Sequence, residues 1–164
     1  MYLKQLNMMA GAFTGGSGDY VTLFEPTATE LELSGEGFVL ASVGEESGEI
    51  PYTAFFATQS YMDENKEIIS RFVSAVSKGL DWVQNHDAAE VAKIIQPQFP
   101  DTSTKVLSEV VERYRSIDAW NNSLVMKSES FDRLQDVMEE AGELQQRVPF
   151  ETIVDNTMAS SVSQ

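Results

Sequence analysis

The chain has 164 residues, 42% of them hydrophobic and only five of them proline, which is enough for a real core and excludes wholesale disorder. Its formal net charge is -15, with 11 Lys and Arg against 26 Asp and Glu, which argues against a Lys/Arg-lined groove for nucleic-acid phosphates. Without cysteine there is no disulfide, thiolate catalysis, iron-sulfur cluster or thiolate zinc site.

In chain order, Tyr2 to Phe13 reads as a short helix with Leu3, Leu6 and Met9 on one side, too mixed and too short in its apolar run for a signal peptide. No other run approaches a membrane span. Gly15, Gly16 and Gly18 then supply the freedom for a sharp turn, and Tyr20 to Phe24 is a β-branched and aromatic run suited to a buried strand. Glu25-Pro26 stops that strand and opens a helix to about Leu33, with the acid at the positive end of the helix dipole and Gly35 and Gly37 beyond the other end. Phe38 to Val43 reads as a second strand. Gly44 to Pro51, GEESGEIP, is a polar connection, and Tyr52 to Ala57 is an aromatic-rich strand.

Beyond it the pattern is helical. Asp63 is placed to cap a helix to about Asn85 with Ile69, Phe72, Val76, Leu80 and Val83 in one apolar stripe. Asp87 can cap AAEVAKII, which Gln96-Pro97 ends, and Asp101 to Ser103 can start the next helix, with Leu107, Val110, Val111 and Tyr114 on a shared face. Ser128 or Ser130 starts the last clear helix, with Phe131, Leu134 and Met138 inward and Gly142 near its end. The expected class is therefore α/β, a strand-rich opening followed by packed helices.

Few constellations suit catalysis. His86 sits at the junction of two helices, where a structural role outweighs a base. The acid pairs Glu45-Glu46 and Glu139-Glu140 point apart or are solvated, and no zinc, EF-hand or P-loop spacing occurs. The glycines precede the strand instead of following it, so they are not a dinucleotide fingerprint. No catalytic residue, metal or cofactor is expected. Three places suit binding, each set against a plain structural reading. Phe24, Glu25 and Pro26 lie at a strand end, where a helix start alone would also explain them. Ser47-Gly48 with Tyr52 offers a hinge or ligand-facing edge, against an ordinary surface loop. Arg113-Tyr114-Arg115 with Trp120 offers an anion seat, against a helix end with a core tyrosine.

In their order, GDYVTLFEPTATELE, FVLASVGEESGEIPYTAFFAT, ENKEIISRFVSAVSKGLDWVQNH, RYRSIDAW and FDRLQDVMEEAGELQQRVPFETIVDN resemble the C-terminal half of the substrate-binding proteins of ABC importers for nitrate, sulfonate, taurine and thiamine-pyrimidine precursors. The resemblance runs from about Gly11 to Asn156. It implies a fragment of a two-lobed type II periplasmic-binding-protein fold that delivers a small organic solute to a membrane permease outside the cytoplasm. It further implies residues 1–44 in the second lobe, 45–58 as hinge crossing and first returning strand, 59–159 as a helical return to the first lobe, and 160–164 as a tail. On this reading Glu25 is the first candidate ligand contact, followed by Phe24, Tyr52, Gly48 and Ser47. The N-terminal half of the family is missing, so the chain is expected to dimerise or to need that half. Some relatives of this fold are enzymes that build the thiamine pyrimidine from a histidine and pyridoxal phosphate, and an assembly partner without ligand is a third reading.

Overall fold

The computed structural model describes residues 8–121 and 123–162. Leu3 and Leu6 of the first expected helix, and the last two residues of the expected tail, lie outside them. Regular structure among the described residues is helical: α1 Met9–Thr14, α2 Thr27–Ser34, α3 Val43–Glu46, α4 Gln59–Glu64, α5 Lys66–Asn85, α6 Ala88–Ile95, α7 Thr104–Ser116, α8 Ser128–Glu140, α9 Phe150–Ile153 and α10 Thr157–Val162.

The α/β expectation is thereby corrected, and with it the strand-rich opening of a type II periplasmic-binding-protein fold: no strand or sheet occurs among the described residues. Residues 20–24, 38–42 and 52–57 lack regular structure, and Val43 enters α3 instead of closing a strand. The reason is cooperative. A strand exists only when its backbone N–H and C=O groups meet a neighbouring chain about 4.8 Å away. These segments have the β-branched and aromatic residues for that state but no ladder to join. Their side chains stay in the open, Phe38 at 83% and Phe56 at 98% exposure.

The chain divides into two compact units: the described residues up to Ser42 together with His86–Ile117, and Val43–Asn85 together with the described residues from Asp118 onward. In the first unit α6 and α7 pack on each other and α2 packs on α7. Leu107, Val110 and Val111 of α7 are buried as their shared face predicts, with Tyr114 only half-buried, and Val91 and Ala92 of α6 are buried against them. Both helix starts are fixed by capping oxygens: the Asp87 carboxylate accepts from Glu90 N at 2.8 Å, and Ser103 Oγ accepts from Val106 N at 3.3 Å. At the other end of α2, Gly35 takes φ 75°, the left-handed stop that only glycine adopts freely.

In the second unit α10 packs on α5 and α9 on α8. The expected cap at Asp63 does not form. Thr58 Oγ1 instead accepts from Tyr61 N at 3.3 Å to start α4, and the chain breaks at Asn65 before α5. The α5 stripe is present, yet none of its residues is fully buried. Phe72 meets Phe55 edge-on with ring centroids 4.8 Å apart. On α8, Phe131 is buried and meets Phe150 of α9 at 5.7 Å. Asn156 braces the approach to α8 by accepting from Met126 N at 3.1 Å and donating to Met126 O at 2.8 Å. No helix among the described residues is long and apolar enough to cross a membrane.

Candidate functional site

The residues expected to touch ligand fall into two groups, one in each unit. In the first unit, Phe24 and Glu25 end the extended segment that leads into α2. Phe24 is half exposed, whereas the Glu25 side chain is 7% exposed and fully engaged. One carboxylate oxygen accepts from Thr29 N at 3.1 Å, so Glu25 fills an orphan donor of the first turn of α2 from a position outside the helix. The other lies 3.0 Å from Arg113 Nε, an ion pair without hydrogen-bond alignment. The peptide bond to Pro26 is cis. Arg113, from the last turn of α7, also donates through Nη2 to Glu32 at 2.5 Å. Glu32 accepts in addition from Val39 N at 3.1 Å. The Arg113 hydrogen bond first, and the Val39 amide second, hold the Glu32 carboxyl below its usual range. Arg113 thus ties both ends of α2 to α7. Of the expected anion seat, Arg113 is committed to these carboxylates, and Arg115 Nη2 donates to the His86 carbonyl.

In the second unit, α3 and the turn after it carry the other group. Ser47 is half-buried and its Oγ donates to carbonyls of the same turn, 3.2 Å to Gly44 O and 3.3 Å to Gly48 O. Gly48 has φ 73°, and a Cβ there would meet Arg133 Nη1 at 3.4 Å. Tyr52, four residues on, is 79% exposed. Between them Glu49 is held from several sides: Lys127 Nζ donates to one carboxylate oxygen at 2.6 Å, Asn121 Nδ2 to the other at 3.1 Å, and Arg133 Nη1 to the Glu49 backbone carbonyl at 2.6 Å. The hydrogen bond from Lys127, reinforced by its charge and by Ser130 and Asn121, lowers the Glu49 pKa, and the same hydrogen bond from the other side raises that of Lys127.

Glu49, Lys127, Arg133 and the pairing role of Arg113 were not found by reading the sequence. Lys127 is 78 residues from Glu49 and Arg113 is 81 from Glu32, so no local spacing signals these pairs. The described residues hold no group of three or more His, Asp or Glu side chains placed to ligate a metal. Chemically, the two groups offer aromatic faces, hydroxyls and turn amides rather than a nucleophile with its base.

A family model described as NMT1/THI5 like matches residues 4–90. The chain is 37% identical over 155 residues to a protein of Bacillus subtilis (strain 168) named "Putative binding protein YtlA"; the match covers 94% of this chain and 46% of that protein. The chain therefore spans about half the length of the curated relative it matches. No solved structure matches it at a significant level.

Proposed function

Because the chain belongs to the NMT1/THI5-like family, we propose that it is a solute-binding component of an ABC importer, acting outside the cytoplasm on a small organic solute such as a sulfonate, nitrate or a thiamine-pyrimidine precursor. The observation that carries this reading is the 37% identity, along nearly the whole chain, to a relative named as a binding protein. In the first unit Phe24 offers an aromatic face beside Glu25, and in the second Tyr52 offers an aromatic face beside the Ser47–Gly48 turn. Because the Glu25 carboxylate is already engaged by Thr29 N and Arg113, Phe24 is the main contact proposed in the first unit. The expected division, with residues 45–58 as a crossing segment, belongs to the same proposal.

Exposed apolar side chains at Phe38, Leu40, Phe55 and Phe56 require cover. We assign that cover to self-association as a dimer, with the N-terminal half expected for the family as the other outcome. Light scattering at micromolar concentration should give twice the chain mass, and a sharp monomer peak counts against the dimer. Titration calorimetry with taurine, nitrate and a hydroxymethyl-aminopyrimidine tests the ligand class. Heat from at least one probe supports the reading, and three flat titrations of the properly associated protein overturn it.

A further inference from the structure

The ligand-facing turn of the second unit is not a free loop. Three side chains of one stretch reach it: Lys127 at the N-cap of α8, Ser130 in its first turn and Arg133 in its second. Their spacing of three puts them on one face. Along that face the chain from Gly48 to Glu49 is laid down by the Arg133 donation to the Glu49 carbonyl and by the Lys127 and Asn121 donations to its carboxylate. The negative carboxylate also sits where the positive end of the α8 dipole favours it. Gly48 completes the fit, since its left-handed φ turns the chain beside the guanidinium, which lies within van der Waals reach of that position. An arginine is suited to this double task because its planar fork can lie against backbone while still donating.

We propose that Arg133, aided by Lys127, is the positioning residue of the ligand-facing turn, fixing Ser47, Gly48 and Tyr52 through Glu49 without itself touching ligand. This inference rests on the binding reading above. The contacts are largely solvent-exposed, so the latch is one that salt and acid can open. It holds a specific backbone segment, not the helix from which it comes.

The test is amide hydrogen exchange of the full chain, without ligand, in wild type and in Arg133→Ala, Arg133→Lys and Lys127→Met, paired with calorimetry on the hydroxymethyl-aminopyrimidine. Arg133→Ala should speed exchange of the amides of residues 45–52 by at least about fivefold, while amides inside α8 keep wild-type protection. Arg133→Lys should recover part of that protection, and Lys127→Met should show a smaller effect that disappears in about 1 M salt. Affinity for the pyrimidine should fall by a similar factor in Arg133→Ala. Unchanged exchange at residues 45–52, or equal loss across α8, overturns the latch. Loosened exchange with unchanged affinity overturns the positioning role. If the wild type binds none of the probes, the transport reading fails by itself, and the exchange pattern alone decides the latch.

Discussion

Two cation–carboxylate tethers, Arg113 with Glu25 and Lys127 with Glu49, hold the segments that carry the candidate ligand residues, and they differ in burial. Arg113 in the first unit works against a Glu25 carboxylate that is 7% exposed, while in the second unit Lys127 and Glu49 are 54% and 42% exposed. The chemistry is the same, cation to carboxylate, yet the consequences diverge. A buried carboxylate that loses its cation cannot be rescued by water, so the first tether is a fixed part of the fold. An exposed pair exchanges protein for solvent at little cost, so the second tether can set a position without dominating stability. The start of α2 is therefore the more firmly fixed of the two segments, and the Ser47–Tyr52 turn the less firmly.

The largest expected effect that would break this contrast is at Arg113. Arg113→Ala should destabilise the first unit by about 2–4 kcal/mol, because it strands the Glu25 carboxylate and frees both ends of α2. Urea unfolding followed on probes in that unit measures it, and a loss below about 0.5 kcal/mol would place the Glu25 pair with the exposed ones. Next comes Glu25→Gln, which keeps the shape and the acceptor for Thr29 N but removes the charge facing Arg113. A loss of about 1–2 kcal/mol is expected. If stability falls while affinity for the aminopyrimidine is unchanged, Glu25 acts only as a tether and leaves the ligand set.

The smallest effect is on acidification. Glu32 and Glu49 both have folded pKa values below their ordinary ones, so their contribution is fully present above the unfolded carboxylate range and is lost as pH falls through the lower folded values. Between about pH 5 and pH 3, amides of residues 45–52 should therefore lose protection as the Glu49 carboxylate is protonated, and protection kept in full at about pH 3 would contradict this.

How much of this was legible beforehand depends on the reach of each interaction. Asp87 and Ser103 announce α6 and α7 because a cap and its amide are three residues apart. The core of those helices follows from Leu107, Val110 and Val111 by periodicity alone. Gly48 reads correctly as a turn. The runs at 20–24, 38–43 and 52–57 carry a composition that favours strand, but the ladder a strand needs must come from elsewhere, and composition does not show it. Asp63 looked like a cap, yet Thr58 earlier in the chain offered a free hydroxyl and an extended backbone, φ -71° and ψ 149°, at the right place. Of the candidate site, the sequence shows the chemical types at Phe24, Glu25, Ser47, Gly48 and Tyr52. It could not show that Glu25 is committed to Arg113 or that the following turn is pinned by α8.

The proposed role of the chain, holding a small solute, is tested without any prior choice of ligand by native mass spectrometry of the protein as purified. A population of the assembled protein heavier than its bare polypeptide by one small-molecule mass per site is expected, lost on collisional activation and restored by the matching compound. A bare polypeptide mass at every charge state, before and after incubation with taurine, nitrate and the hydroxymethyl-aminopyrimidine, would contradict it.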